Sequence, residues 1–235
     1  MVLSVHQPQY IPWLGYFDKI AKSDAFVFLD LVQYKPREFE NRNKIRTKDG
    51  WIWLSVPIAS KGKGRQRISD CVIDNELPWR RQHWNSLKTW YGKARFFQEH
   101  GPFFEKLYAR EWQKFIDVSV EIITYCLKEL RIETPVYFES RLETSSMATD
   151  RIIELCGKLH AQAYLSGAGG KDYLEEEKLD KAGVKLIYQD FVHPVYHQQF
   201  MKDGNDFISH ISALDLLFNE GPASREILGI GAKTP

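Results

Sequence analysis

The sequence has few cysteines and no long uninterrupted hydrophobic run. Its three cysteines, Cys71, Cys126 and Cys156, are an odd number, lie far apart and sit in apolar surroundings. This usage argues against a disulfide framework and favours a reducing compartment. The most apolar helical segment, residues 115–130, is interrupted by two carboxylates, so no segment is predicted to span a membrane. Because no signal-peptide pattern precedes the first strand, we expect a cytoplasmic protein.

The sequence also lacks a large excess of either charge. It carries 32 lysines and arginines against 31 aspartates and glutamates in 235 residues, a formal net charge of +1. This balance disfavours a general nucleic-acid-binding surface. Between residues 35 and 67, however, basic residues far outnumber acidic ones. A local basic stretch in a neutral chain predicts an anionic small-molecule partner, such as a phosphate-bearing one, rather than nucleic acid.

Short apolar runs rich in β-branched and aromatic residues recur along the chain, and amphipathic helical periods separate several of them. Runs that are apolar throughout, rather than alternating, are typical of parallel strands buried on both faces. The pattern therefore predicts an α/β fold with a Rossmann-like parallel sheet covered by helices. The runs are VLSVH (2–6), AFVFLD (25–30), PVYFES (135–140), AYLSG (163–167) and VKLIYQDF (184–191), with helical periods over 12–23 and 148–160.

Two segments interrupt this alternation inside what we predict to be a single α/β domain over residues 1–235. The stretches WIWLSVPIA, KGKGRQ and RISDCVI predict an antiparallel hairpin over 51–73 with a basic tip. Residues 78–131 show a helical pattern that opens on a proline suited to a first helical turn, and they predict a helical insertion. The last residues, 229–235, are predicted to form a loose tail.

The turn after the first strand, HQPQYIPWLGY, is rich in polar and aromatic side chains for a connection between a strand and a helix. His6 falls at the C-terminal end of the strand, where ligands bind in open α/β sheets. An ordinary histidine pKa of about 6.5 suits a general base or an electrostatic stabiliser, so we predict that His6 is catalytic. The neighbours predicted to bind the cofactor are Gln7, Tyr10, Trp13 and Gly15. The alternative is that the aromatic residues are core and that the glycine allows close helix–sheet packing.

A second cluster, DLVQYKPREFENRNKIR, follows the second apolar run. Asp30 ends that run and should lie beside the first turn at the same edge of the sheet, where we predict that it is catalytic and orients an amine or a ribose. Gln33 is predicted to bind substrate. Arginine offers bidentate donors matched to phosphate, and the predicted cofactor ligands are Arg37, Arg42, Asn43 and Lys44. A solvated loop whose bases pair with neighbouring glutamates is the alternative.

A glycine-rich turn, YLSGAGGKDYL, follows the fourth apolar run and lets backbone N–H groups approach a ligand. Its spacing matches neither a P-loop nor the G-x-G-x-x-G dinucleotide fingerprint. A plain connection between strand and helix is therefore as good an interpretation as a site. The candidate cofactor-binding residues in this turn are Ser166, Gly167, Gly169 and Tyr173.

The stretch YQDFVHPVYHQQF mixes polar aromatic residues with glutamines, a composition suited to hydroxyl-rich groups. Tyr196 and Gln198 are therefore predicted to bind substrate. His193 and His197 could suggest a metal site, but Pro194 breaks their helical register and no acidic residue or cysteine lies at a ligand-like spacing. We therefore predict no metal, apart from any Mg²⁺ that accompanies a nucleotide.

Five stretches resemble the WbqC-like family, which is named from O-antigen gene clusters: HQPQYIPWLGYFDKI, ENRNKIRTKDGWIWLSVPI, YLSGAGGKDYL, IYQDFVHPVYHQQF and SALDLLFNEG. The resemblance covers nearly the whole chain. It implies a bacterial cytoplasmic protein associated with the biosynthesis of surface polysaccharide.

The layout of the first strand, turn and helix also resembles the nucleotidylyltransferase superfamily that includes pantothenate synthetase. In that superfamily a His-x-Gly-His signature opens the helix, and its histidines stabilise phosphates at the transition state. Trp13, Leu14, Gly15 and Tyr16 stand where that signature would fall, so the glycine matches and both histidines are replaced. On this resemblance, His6 and the downstream arginines would have to make the phosphate contacts.

Together the two resemblances imply an enzyme of glycan biosynthesis that transfers an acyl or aminoacyl group and forms an amide on an amino sugar or nucleotide sugar. ATP or a nucleotide sugar is the expected cofactor. The expected partners are small molecules: an amino sugar, an amino acid or another acyl donor. A nucleic-acid-binding module and a non-catalytic assembly factor for glycan enzymes remain alternatives, and the sequence carries no signal for an oligomeric state.

Overall fold

A computed structural model describes residues 1–202 and 206–230 of the chain. Residues 231–235, part of the predicted tail, lie outside the described residues. The strands are β1 (Val2–His6), β2 (Ala25–Phe28), β3 (Arg42–Thr47), β4 (Gly50–Ser55), β5 (Val136–Phe138), β6 (Ala163–Ser166) and β7 (Lys185–Tyr188). The α-helices are α1 (Leu14–Ala21), α2 (Trp79–Tyr91), α3 (Phe97–Ala109), α4 (Phe115–Glu129), α5 (Ala148–Lys158), α6 (Glu176–Lys181), α7 (Leu214–Glu220) and α8 (Ser224–Ile227).

A five-stranded parallel sheet forms the centre of the fold, with the strand order β5-β2-β1-β6-β7. Counted along the chain, these strands lie in the order third, second, first, fourth, fifth, which is the order of a Rossmann sheet. The Rossmann-like α/β fold predicted from the apolar runs is therefore confirmed. The direction of winding reverses between β1 and β6, so the topological switch point lies between these two strands.

The register of the sheet brings the ends of its central strands to one edge. His6 at the end of β1 is paired with Phe28 at the end of β2, and Ser4 is paired with Leu165 of β6. Chain segments that leave these strands therefore start from the same side of the sheet. Side chains in the turns after β1, β2 and β6 can consequently meet.

The two faces of the sheet belong to separate hydrophobic cores, because alternate residues of a strand point to opposite sides. Leu3 and Val5 of β1 share one core with Val27 and with residues of α5 and α6. Phe26 and Phe28 of β2 belong to the other core, which also contains residues of α1 and of the helices α2, α3 and α4. Both faces are thus covered, as buried parallel strands require.

The antiparallel hairpin lies earlier in the chain than the predicted range of 51–73. Strand β4 pairs along its length with β3, which precedes it, and not with the segment that follows. Residues 48 and 49 connect the two strands, and Gly50, the first residue of β4, has a φ of 131°, a backbone conformation that favours glycine. The later segment contributes isolated bridges, such as the one between Ile58 and Ile73, and no strand that pairs with β4.

Helices α2, α3 and α4 occupy the segment 78–131 for which the sequence pattern predicts a helical insertion. Their aromatic residues pack against α7, as the 5.7 Å between the rings of Phe104 and Phe218 illustrates. The longest described helix, α4, has 15 residues, and no helix in the described part of the chain is both long and apolar enough to cross a bilayer.

Candidate functional site

A cavity of about 470 Å³ opens at the switch point of the sheet. Its walls come from the end of β1, the turn after β6 and the first turn of α5. Ligands of open α/β sheets bind in the crevice at this position. The lining residues used below are Val5, His6, Gln7, Lys19, Ala148, Arg151, Gly167, Gly169 and Tyr173.

Lys19 supplies an ammonium group to this cavity from the buried side of α1. Its side chain is only 4% exposed, and its Nζ donates a hydrogen bond to the carbonyl of Val5 at 3.1 Å. Burial lowers the pKa of Lys19 to about 7. A Cβ added at Gly167 would lie 3.9 Å from Nζ, so the turn after β6 closes over the amine.

Lys19 is absent from the residues that the sequence predicts for the site. Its position in the chain could have indicated a site residue, because a helix that joins two buried parallel strands packs one of its faces against the sheet. A lysine in such a helix either reaches solvent or lies in a built site, and Lys19 does the second.

His6 lies half-buried in the same cavity. Its Nδ1 is 3.2 Å from the carbonyl oxygen of Gln7. A carbonyl only accepts hydrogen bonds, so Nδ1 carries the proton and Nε2 keeps a free lone pair. Burial, together with the positive charge of Lys19, lowers the pKa of His6 well below its ordinary value. At neutral pH the imidazole is therefore neutral and able to accept a proton.

Arg151 brings a guanidinium to the cavity from α5. Its Nε donates to the carbonyl of Ser146 at 3.1 Å and lies 2.9 Å from Oε1 of Glu139, whose side chain is 1% exposed. Within residues 1–202 and 206–230, no group accepts a hydrogen bond from either terminal nitrogen of this guanidinium. The arrangement leaves them available to an anion as a bidentate fork.

Comparison with known proteins places the chain in a family. Residues 7–227 match the model of the WbqC-like protein family. The chain belongs to this family. One relative, described as "Uncharacterized protein Rv1507c" of Mycobacterium tuberculosis, is 30% identical over 227 residues, which are 96% of this chain and 96% of the relative. No solved structure matches the WbqC-like chain.

Several residues that the sequence predicts for the site meet in the switch-point cavity of this WbqC-like protein. His6 and Gln7 line it from β1, and Gly167, Gly169 and Tyr173 line it from the turn after β6. Ser166 lies directly beneath, 1% exposed, and its hydroxyl donates to the carbonyl of Gly167 at 3.0 Å.

Asp30 lies at the predicted edge of the sheet but does not line the cavity. Its side chain is buried, and its Oδ1 accepts a hydrogen bond from the backbone N–H of Ser140 at 2.9 Å. Ser140 follows β5, the neighbour of β2 on the side away from β1. The carboxylate therefore joins the ends of β2 and β5, which corrects the prediction that it faces the ligand.

Tyr10, Trp13 and Gly15 also lie outside the cavity that their predicted role requires. The Tyr10 hydroxyl is fully buried between Nδ1 of His83, at 2.7 Å, and the hydroxyl of Tyr108. A Cβ added at Gly15 would overlap the Trp13 indole, so this glycine allows a close approach within the protein. Their surroundings agree with the alternative interpretation, in which these residues belong to the packing of the core.

The basic loop residues predicted to hold phosphate lie on and beside the hairpin, away from the cavity. The guanidinium of Arg42 lies 4.2 Å from the ring centre of Trp53 and also donates to the carbonyl of Arg37. Lys44 Nζ lies 4.2 Å from the ring centre of Trp51. Asn43, by contrast, points inward and donates to a backbone carbonyl of the first turn, which fixes the hairpin to that turn.

Tyr196 and Gln198 belong to a buried polar network under the hairpin. Gln198 is fully buried, and its Oε1 accepts a hydrogen bond from Arg46 at 3.1 Å. Nearby, Asp215 accepts from the Tyr91 hydroxyl at 2.8 Å, and burial raises the pKa of Asp215 to about 6. These contacts attach the loop after β7 to β3 rather than opening toward a ligand.

Gln33 lies in the wall of a second cavity, next to the first. In the described part of the chain, no three side chains of His, Cys, Asp or Glu gather closely enough to hold a metal ion.

Proposed function

We propose that this protein is an enzyme of glycan biosynthesis that binds a nucleotide at the switch point and forms an amide on an amino sugar or nucleotide sugar. One observation carries the proposal: two basic side chains, Lys19 and Arg151, share a cavity with the neutral imidazole of His6. Cations suit the phosphates of ATP, with its Mg²⁺, or of a nucleotide sugar. A neutral histidine suits the removal of a proton from an amine.

The reaction assigns a role to each of these groups. A carboxylate oxygen attacks the α-phosphorus of ATP, and pyrophosphate leaves. The amine nitrogen of the sugar then attacks the acyl carbon, AMP leaves, and Nε2 of His6 takes the proton of the amine. Lys19 and Arg151 stabilise the negative charge on the phosphates, which is the largest contribution that an enclosed site can make.

Two resemblances support the nature of the reaction. Members of the WbqC-like family are associated by name with surface polysaccharide. The sequence of the first strand, turn and helix resembles the layout of a superfamily whose members include an amide-forming synthetase. The replacement of both signature histidines by Trp13 and Tyr16 moves the phosphate contacts to Lys19 and Arg151 in this proposal.

Ligand binding by a pair of lysine variants tests the proposal. ATP with Mg²⁺ and UDP-N-acetylglucosamine are titrated calorimetrically into the wild type, Lys19→Met and Lys22→Met. Lys22 directly follows the same helix, with its side chain 49% exposed and outside the cavity. Loss of a charge-assisted bond should weaken binding at least about tenfold in Lys19→Met only. Equal affinities in all three proteins, or no binding by the wild type, would refute the proposal.

A nucleic-acid-binding module is the second candidate, because one face of the hairpin carries exposed aromatic rings and cations. Trp51 is 43% exposed, and Lys44 and Arg42 lie over the rings of Trp51 and Trp53. Aromatic rings flanked by cations bind single strands by stacking and charge. This candidate predicts that the affinity for a single-stranded oligonucleotide falls steeply with salt concentration and depends on Trp51.

A further inference from the structure

A second cavity of about 480 Å³ lies beside the switch-point cavity. The two share Val32, Ala148 and Arg151 in their walls. We refer to these neighbouring cavities as the two compartments of one cleft, and Arg151 lies in the wall of both. The second compartment is bounded by the segment after β2, by residues 65–67 and by the loop that precedes α5.

The second compartment carries an excess of positive charge. Arg65, Arg67 and Arg151 line it, and Glu139 is the one carboxylate among its lining residues. One oxygen of Glu139 is already engaged, because Oε1 accepts from the hydroxyl of Thr144 at 2.7 Å and lies 2.9 Å from Nε of Arg151, whereas the buried Oε2 has no hydrogen-bond partner among the described residues. Arg65 and Arg67 form no ion pair with any described residue. An anionic ligand would compensate this charge.

The main chain at Arg67, whose side chain is exposed, is held by the chain that leaves β2. Residues Gln33 and Arg67 form an antiparallel bridge, and the N–H of Tyr34 donates to the carbonyl of Gln66 at 2.9 Å. The segment that carries Arg67 is thus fixed to the chain leaving β2. Gln33, which the sequence predicts to bind substrate, lies in the same wall. An amide beside an arginine offers donors for the two oxygens of a carboxylate.

We propose that the second compartment binds the carboxylate of the acyl substrate, with Arg67 and one terminal nitrogen of Arg151 as its donors, while the other terminal nitrogen of Arg151 serves the phosphates. This assignment rests on the proposed amide-forming function, which needs a carboxylate beside the nucleotide. Arg151 lines both compartments, so the guanidinium that holds the carboxylate also borders the space given to the phosphates. The acyl substrate is accordingly a small organic acid, such as an amino acid.

Carboxylate and nucleotide titrations on matched arginine variants test this assignment. The probes are succinate, L-glutamate and inorganic phosphate, followed by ATP with Mg²⁺. The variants are Arg67→Gln, in the second compartment only, and Arg81→Gln, an exposed arginine on α2 outside the cleft. At least one carboxylate should bind the wild type and Arg81→Gln, and should bind Arg67→Gln at least about tenfold more weakly. The affinity for ATP should stay the same in all three.

Two results overturn the assignment. One is the absence of an Arg67-dependent carboxylate: neither carboxylate binds the wild type, or both bind Arg67→Gln as tightly as they bind the wild type. The other is that inorganic phosphate binds in an Arg67-dependent way and displaces the carboxylates, which makes the compartment a phosphate site. Failure of the proposed function gives a different result. In that case ATP binds none of the three proteins, whether or not the carboxylates bind.

Discussion

The Nζ of Lys19 donates a hydrogen bond to the carbonyl of Val5 at 3.1 Å, one residue before His6. A single side chain therefore connects α1 to the end of β1 at the edge of the sheet where the cavity opens. The amine is buried and its pKa is lowered to about 7, so its charge changes near neutral pH. Three of the predictions below follow from this amine.

The contribution of Lys19 to the free energy of unfolding should rise with pH between about pH 7 and pH 9. Lys19 has a folded-state pKa of about 7, whereas an unfolded lysine has a pKa of about 10.4, so the unfolded chain binds more protons in this window. Each pKa unit corresponds to about 1.4 kcal/mol, which sets an upper bound of about 5 kcal/mol on the whole effect. Urea unfolding of the wild type and Lys19→Met at several pH values isolates this slope. Lys22→Met should keep it; a slope that survives in Lys19→Met contradicts the assignment.

Nucleotide binding at pH 8 should be accompanied by proton uptake. The amine of Lys19 is mostly neutral at this pH, and a phosphate placed beside it favours its charged form. Calorimetry in buffers of different ionisation enthalpy counts the protons taken up on binding. We expect close to one more proton per ATP for the wild type than for Lys19→Met. An equal count in both would place the phosphates elsewhere.

The pKa of His6 should rise in Lys19→Met. Desolvation is the main cause of its low pKa, and the nearby positive charge of Lys19 adds to it. Removing that charge favours the protonated imidazole, while the burial remains. NMR titration of the imidazole in both proteins measures the change. A pKa that stays the same or falls would show that the two groups do not interact.

Asp30 should contribute to stability and not to ligand binding. Asp30→Ala removes the charged acceptor of the part-buried hydrogen bond from the N–H of Ser140, a loss of about 1.5–3 kcal/mol in the free energy of unfolding. Asp30→Asn keeps an oxygen acceptor and should lose less. The affinity for ATP should match the wild type in both variants. Weakened ATP binding by a folded Asp30→Asn would restore the catalytic role predicted from the sequence.

Gly15→Ala should lower stability without changing nucleotide affinity. The added methyl overlaps the indole of Trp13, which stacks on His210 with 5.1 Å between ring centres and meets the edge of Phe191 at 5.4 Å. Overpacking of this kind reduces the free energy of unfolding by about 1–3 kcal/mol. Thermal unfolding and ATP titration of the same sample measure both effects. Lower affinity with unchanged stability would instead indicate a ligand at Gly15.

The sheet could be predicted from the sequence because each of its strands is a short apolar run. The parallel arrangement then fixes which strand ends share an edge, and this places His6, Gln7 and the glycine turn at Gly167 together. The hairpin was harder to predict from the sequence, because β4 can pair either with the segment before it or with the segment after it. The turn at Gly50, rather than the apolar pattern, decides between the two.

The charged residues of the cleft could not be predicted in the same way. Lys19 and Arg151 are far apart in the chain, and they meet only because α1 and α5 border the same cavity at the sheet edge. At Tyr10 the error is the reverse: the sequence predicts a ligand contact because a polar aromatic side chain lies in the turn. Its hydroxyl is instead satisfied by His83 and Tyr108, which come from the helical insertion.

The strand order has a consequence for how the chain reaches this structure. Val2 at the start of β1 is paired with Ala163 of β6, so the central contact of the sheet joins the beginning of the chain to its last third. Such high contact order makes folding slow. During synthesis, the edge of β1 that receives β6 stays unpaired until Ala163 has left the ribosome, and an open edge of this kind invites aggregation. Chains that are truncated after α4 should therefore be insoluble rather than partly active.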